Sequence, residues 1–442
     1  MTARGNGAAP GDPQFICTAC GNRYSLGEPR WRCGCGGLLD ISPSPRFDRR
    51  RIDPSAPGIS RYSPFFSLPR PPSRGPRASE RNGSADSLPL LTLGEGRTPL
   101  LPYSSPRLPS SACLFALHDH LNPSGSFKDR GAATLLSAVS RYGLEEIVED
   151  SSGNAGAAVA AYSAAAGVGA KIFVPEKTGR GKIVQIEAYG AEVVKVPGSR
   201  EDTAEAALKA AESSYYASHS WNPFFFQGTK TAAYEICEGL GWRSPDALVL
   251  PCGNGTLLLG AYLGWRELRA AGIVSRLPRL IAVQSAGCAP VFERWRETAP
   301  AALGAPPEHG SADWAPAGEK PAAGRSAGGG ADGTPPGYGS TPGAQPGGGT
   351  GKPAAEGIQV AAPVRLRQIL EAVTDTGGSV YTVTDEEVRA SCTEAWRKGV
   401  YIEPTAAAAI AGCKKYLDIS SNNNELIATV FTGHGLKLQA AP

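Results

Sequence analysis

Net charge is the first thing this 442-residue sequence lacks: 44 Lys and Arg stand against 41 Asp and Glu, leaving +3. So balanced a chain gives no electrostatic ground for binding nucleic acid or an anionic membrane surface, and its partners are expected to be small molecules. Long apolar runs are also missing. The longest stretch of small apolar residues, 155–170, is mostly Ala and Gly, shorter than the ~20 residues that cross a bilayer, and reads as a buried helix. The N-terminal MTARGNGAAPGDPQ has no apolar run behind its Arg, so no secretory signal is expected and the address is cytoplasmic. No fixed repeat is present, which excludes solenoids and propellers.

Glycine and proline, in contrast, are plentiful, at 55 and 38 residues, more than ordinary helices and strands absorb. They concentrate in two places. Residues 41–90 hold 10 Pro, 9 Arg and 10 Ser and read as a linker or extended wrap. Residues 301–350 hold 11 Ala, 14 Gly and 8 Pro, too little apolar surface to offset the entropy of ordering, and the region 298–356 reads as a disordered insertion. Elsewhere short β-rich runs alternate with Ala-rich helical ones, the pattern of an α/β protein with largely parallel sheets.

Of ten cysteines, four fall in C17-T-A-C20 and C33-G-C35. Their spacing could supply four thiolates to a tetrahedral Zn²⁺, although C-x-C is tighter than the usual second pair, and a metal-free remnant is the competing reading. The other six read as small buried apolar residues.

Four Gly-rich segments sit where strands end and helices begin. Asn122-Pro-Ser-Gly-Ser-Phe127-Lys128-Asp-Arg-Gly131 places a lysine amine where it could form a Schiff base with an aldehyde cofactor; the plainer reading is a solvated Lys in a first turn capped by Ser126. Ser151-Ser-Gly-Asn154-Ala-Gly156 offers an amide at a helix start. Pro251-Cys-Gly253-Asn254-Gly255-Thr256, followed by Leu257, suits a phosphate held by backbone N–H groups, without the lysine of a Walker loop. Phe431-Thr432-Gly-His434-Gly435 brings a hydroxyl to a strand end. Each segment alone is a turn.

In this order the four segments resemble the threonine synthase family of pyridoxal-phosphate enzymes, together with Ile402-Glu403-Pro404-Thr405-Ala406, from Leu91 to Lys437 outside the insertion. The resemblance implies fold-type II architecture like the tryptophan synthase β chain. A large domain would span 91–140 and 229–440, and a small one 141–228, with pyridoxal 5'-phosphate between them and a zinc-ribbon-like segment at 1–40. It implies that Lys128 holds the cofactor, Phe127 lines the cleft, and Asn154 bonds the phenolic oxygen. Gly253, Asn254, Gly255, Thr256 and Leu257 would bind the phosphate, and Thr432 would face the ring nitrogen. Cys17, Cys20, Cys33 and Cys35 would hold a structural zinc. The implied reaction is O-phospho-L-homoserine plus water to L-threonine and phosphate, by a homodimer. Two positions depart from the pattern: Ala155 stands where Thr is typical, and Phe225 where Arg is typical. Lys177, Arg180, Lys182 or Lys230 would have to compensate. The alternatives are β-elimination or β-replacement on a serine- or threonine-like amino acid, and a non-catalytic scaffold. His118 and His120 read as strand-end histidines satisfied by backbone, and the Phe224–Phe226 run as cleft wall or core.

Overall fold

The computed structural model describes residues 12–70, 89–106, 108–109, 112–298, 353–420 and 424–437. Its N-terminal strands β1 (Gln14–Cys17), β2 (Arg23–Ser25) and β3 (Leu39–Ser42) form a small antiparallel sheet in the order β2-β1-β3. The ribbon therefore runs past the boundary expected at residue 40, because β3 pairs with β1 as far as Ser42 and buries Ile41 opposite Phe15. The next stretch is an extended wrap rather than a free linker. A 3-10 helix over Gly58–Phe65 places Ile59, Tyr62 and Phe65 three residues apart on one buried face, as the three-residue turn dictates. Residues 71–88 of the expected linker lie outside the described residues.

The main sheet begins with β4 (Leu100–Pro102) and β5 (Cys113–Leu117), after which comes α1 (Lys128–Tyr142). A second sheet follows, built from β6 (Glu146–Glu149), α2 (Asn154–Ala166), β7 (Gly169–Pro175), α3 (Arg180–Ala188), β8 (Glu192–Val196), α4 (Arg200–Ala210) and β9 (Tyr215–Tyr216). Its strands are parallel in the order β8-β7-β6-β9. The chain then returns through α5 (Pro223–Thr229), α6 (Thr231–Gly239), β10 (Ala247–Pro251), α7 (Thr256–Ala270), β11 (Arg279–Ser285) and α8 (Pro290–Thr298). It closes with α9 (Leu366–Asp375), β12 (Ser379–Val383), α10 (Asp385–Arg397), α11 (Pro404–Ile419) and β13 (Leu426–Val430).

The main sheet has the order β12-β11-β10-β13-β5-β4, parallel except at the β4 edge. Helices cover both faces, so central strands such as β10 are buried at every position and read as continuous apolar runs. Helix ends follow local chemistry. Gly143 and Gly167, at φ 69° and 66°, end α1 and α2 in the left-handed region. Ser199 with Asp202 and Thr384 with Glu387 form capping boxes for α4 and α10. Ser126 does not cap α1: Phe127 takes that position and the Ser126 hydroxyl is buried.

Other expectations need correcting. Residues 299–352 of the insertion lie outside the described residues, but Thr298 ends α8, and 353–356 lead into a 3-10 turn with Ala355 fully buried. Cys113 is exposed and Cys288 half-buried, since each lies at the end of its packed layer; the other four scattered cysteines are buried as expected.

Arg365 joins the ribbon to the body. It is buried, and donates to the carbonyls of Leu39, Ser220 and Trp221 as well as to Asp40 and Gln368. Arg365→Ala leaves three carbonyls without this donor, at roughly 1–3 kcal/mol each. A loss of about 3 kcal/mol or more in denaturant unfolding is expected, with faster proteolysis between residues 42 and 58. An unchanged midpoint would contradict this role.

Candidate active site

Three neighbouring strands of the main sheet deliver the site. β5 leads to Lys128, β13 to Thr432 and β10 to the Gly253–Thr256 turn. The loops are tied to one another: Phe127 N–H donates to Thr432 O at 2.9 Å, and His434 N–H to Gly125 O at 3.0 Å. β6 of the second sheet supplies Glu149, Asp150 and the Ser151–Asn154 loop from the opposite side. Between the two sheets lies a cleft of about 1350 Å³, lined by Phe127, Lys128, Asn154, Gly253, Thr256 and Thr432 among others. The sequence-expected residues thus face one cavity; Leu257 lies one position deeper, buried in the first turn of α7.

Lys128 Nζ donates to Thr256 Oγ1 at 3.2 Å and lies 4.3 Å from the centre of the Phe127 ring. Burial lowers its pKa to about 8, against the attraction of Glu149 and Glu403, and Arg200 lowers it further. The amine faces the N-terminus of a 15-residue helix, where the dipole favours an anion over an ammonium. The turn before α7 is made by glycines. Gly255 sits at φ +73°, and a Cβ on Gly253 would come within 3.1 Å of Gly357 O and Ile358 Cα.

Glu403, quoted in the sequence without a role, is the hub of the opposite wall. Its carboxylate accepts from Asn154 Nδ2 at 2.9 and 3.1 Å and from Thr432 Oγ1 at 3.2 Å. It orients the two polar groups expected around the cofactor ring. A Cβ on Gly433 would lie 2.2 Å from Glu403 Cδ, so glycine there makes room for the acid. Burial raises the Glu403 pKa, opposed by these hydrogen bonds and by Lys437. Lys437 Nζ in turn donates to Asn154 Oδ1 at 3.0 Å.

Other residues surfaced only in three dimensions. His219 lies between Glu149 and Asn254, at 2.7 and 3.3 Å; Arg200 lines the same cleft. No local pattern marks them, because Glu149 and His219 are 70 residues apart. His120 is not satisfied by backbone: its buried Nδ1 has no partner among the described residues, because its ring packs beside His118, Phe431 and His434 at the cleft wall. Phe225 is fully buried with its ring filling the space over Gly131, and Phe224 likewise belongs to the core. Lys230 is buried with Glu267, away from the cleft, whereas Lys177 and Lys182 line it. Arg180 is not among the described residues lining it.

At the ribbon, the four sulfurs of Cys17, Cys20, Cys33 and Cys35 lie within 4.8 Å of one another, with contacts of 3.4–3.6 Å. A tetrahedron of sulfurs ~2.3 Å from Zn²⁺ has edges of about 3.8 Å, so the set fits that ion. Burial opposes ionisation of Cys33, but hydrogen bonds from Tyr24 and Cys35 lower its pKa to about 6.

A model of the pyridoxal-phosphate dependent enzyme family matches residues 91–327, more than half of the chain. A threonine synthase of Methanocaldococcus jannaschii is 30% identical over 433 residues, covering 95% of this chain and 92% of that protein. The chain belongs to the threonine synthase family of pyridoxal-phosphate dependent enzymes. A threonine synthase of Mycobacterium leprae is 31% identical across 78% of this chain and 83% of its own. Among solved structures, an O-acetylserine dependent cystathionine beta-synthase from Helicobacter pylori aligns with a TM-score of 0.57 at 22% identity, over 77% of this chain and 94% of that one. A maize serine racemase aligns at 0.55 and 18%, over 76% and 88%. These neighbours share the fold-type II architecture. No helix of the described residues is long and apolar enough to cross a membrane.

The lowered Lys128 pKa has a direct readout. As pH rises through about 8 the buried amine becomes neutral and nucleophilic, whereas ordinary lysines do so near ~10.4. Labelling of cofactor-free protein with a small amine-reactive reagent, read by peptide mass spectrometry, should show Lys128 half-reactive at about pH 8. A profile matching the surface lysines would count against the burial argument.

Proposed function

We propose that the chain converts O-phospho-L-homoserine and water to L-threonine and phosphate with pyridoxal phosphate as cofactor. The observation that carries this reading is 30% identity to a threonine synthase along 95% of the chain; the buried Lys128 amine facing a glycine turn at a helix start agrees with it. Pyridoxal phosphate, when bound, supplies an electron sink for charge developing at substrate carbons. Lys128 would hold the cofactor through Nζ and carry protons to and from the substrate's carbons, a task suited to an amine whose pKa lies near working pH. The backbone N–H groups of Gly253, Asn254, Gly255, Thr256 and Leu257 would take its phosphate at the start of α7. Asn154 would donate to the ring's oxygen and Thr432 would face its nitrogen, both oriented by Glu403, with Phe127 closing one side. The small-molecule substrate would enter through the same cleft.

A second reading, elimination or replacement at the β-carbon of a serine- or threonine-like amino acid, is favoured by Ala155 and Phe225, apolar where the family supplies polar donors. Phosphate release from O-phospho-L-homoserine, set beside keto-acid release from L-threonine and L-serine, separates the two. Threonine and phosphate in equal amounts are expected; keto acid without threonine would favour the second reading. The holoenzyme should absorb in the yellow region, and Lys128→Ala should abolish both this band and turnover.

For the ribbon we propose a structural Zn²⁺ held by Cys17, Cys20, Cys33 and Cys35; four protein ligands leave no open position for catalysis. Metal analysis of purified protein should find one zinc per chain, lost on Cys17→Ser or Cys33→Ser. Absence of zinc from the intact chain would refute the site.

A further inference from the structure

The Glu149–His219 pair lies beside the residues that would hold the cofactor, with His219 next to Asn254 at the floor of the cleft. His219 is 6% and Glu149 0% exposed, and Glu149 Oε1 meets His219 Nδ1 at 2.7 Å. The other face of the imidazole, Nε2, looks toward Asn254, and His219 lines the cleft together with Lys128 and Arg200. Glu149 Oε2 is buried with no partner among the described residues, a costly state for a carboxylate oxygen and a mild one for the carbonyl of a carboxylic acid. Burial and the nearby Asp150 raise the Glu149 pKa, while burial, Lys128 and Arg200 lower that of His219. The unpartnered Oε2 and the direction of both shifts favour an acid hydrogen-bonded to a neutral imidazole. With Nδ1 accepting the acid's proton, the ring's own hydrogen sits on Nε2, and the Asn254 side-chain amide 3.3 Å away turns its oxygen, not its Nδ2, toward the ring in this tautomer.

A phosphate ester needs such a proton. Breaking the carbon–oxygen bond of a phosphate monoester dianion would expel the strongly basic trianion unless a proton meets the departing oxygen. A sulfate monoester leaves as a weakly basic dianion and has no such need.

We propose that His219 is the catalytic acid that protonates the leaving oxygen of the substrate's phosphate, with Glu149 as its positioning residue; this rests on the phosphohomoserine reading. Lys128 takes a proton from the carbon adjacent to the one bearing oxygen, and that C–H pair becomes the second bond between the two carbons. The C–O bond breaks with its pair on oxygen, and the Nε2 proton joins that oxygen. The Glu149 proton passes to Nδ1, so the pair ends one proton short while Lys128 carries one extra, and the Lys128 ammonium returns it to the pair through water in the cleft. Arg200, which begins α4 and lines the cleft, is placed to attract the anion.

The test compares O-phospho-L-homoserine with O-sulfo-L-homoserine on holoenzyme of the wild type, His219→Asn and Glu149→Gln. On the phosphate ester, His219→Asn should lose about 100-fold in kcat with KM within about threefold, while the sulfate ester loses less than about threefold. The alkaline limb of the kcat–pH profile should disappear in His219→Asn; the groups facing this imidazole are Glu149, Asp150, Lys128 and Arg200. Glu149→Gln keeps a hydrogen bond to the ring but removes the second proton, and should fall between the two; it carries the test if His219→Asn fails to bind cofactor, judged by absorbance. Unchanged kcat on the phosphate ester, equal losses on both esters, or a retained alkaline limb would overturn the inference. Failure of the wild type to release phosphate from O-phospho-L-homoserine would instead overturn the reading beneath it.

Discussion

The chemistry of this chain depends on the register of three adjacent parallel strands. β10, β13 and β5 lie side by side although they are distant in sequence, and each ends at the same edge of the sheet. In a parallel sheet every strand's carboxyl end faces the same way, so the loops that follow gather at one crevice. Thr429 Oγ1 donates to Val249 O at 2.8 Å inside the sheet, and a bridge between Ser126 and Gly433 continues the pairing beyond it. A slip of one residue between β5 and β13 would turn Thr432 to the opposite face and separate it from the Lys128 loop.

Within this frame, burial does the electrostatic work. Glu149 is fully buried and Lys128 and Glu403 are half-buried, and in each case desolvation pulls the group toward its neutral form against the attraction between the amine and the two acids. Had the acids been exposed, their ionised carboxylates would hold the amine protonated. With them buried, a lysine that must be partly neutral to react can be so near neutral pH. Hydrogen bonds then decide orientation: Asn154 and Thr432 converge on Glu403, and Gly433 exists as glycine because any side chain would collide with that carboxylate.

Much of this was legible in the sequence, for a physical reason. The strand Glu192–Val196 follows from its valines, Cys113–Leu117 from a short apolar run, and the start of α10 at Asp385 from a capping threonine, all local signals. The Gly-rich segments announce themselves because tight turns and close approaches admit few residue types. His219, Glu149, Arg200 and Lys437 were illegible because each is an ordinary residue in its own neighbourhood and acquires meaning only from a partner on another strand. Helix α11 escaped for a different reason. Its run of alanines carries no amphipathic period, since the helix is buried on nearly all sides. Residues 353–356 were misread because Gly and Pro in the preceding stretch hid a short segment that packs at the cleft.

The ribbon belongs to the same argument. Trp31 packs edge-on against Tyr216 and Trp221, Phe15 against Phe224, and Arg365 ties Asp40 and Leu39 to the carbonyls of Ser220 and Trp221. All these contacts fall on residues 216–224, from the end of β9 to the start of α5, the stretch that carries His219. That segment includes only short regular structure and borders a cleft, and on the cleft side it is tied to β6 by Ala217 N–H to Val148 O and by His219 to Glu149. On its other side it is held by the ribbon's apolar face and one guanidinium. A cysteine-rich module remote from the lysine thus bears on the cleft through backbone carbonyls next to an imidazole. Removing it would loosen the wall that carries His219 before it disturbed the strand ends that carry Lys128 and Thr432.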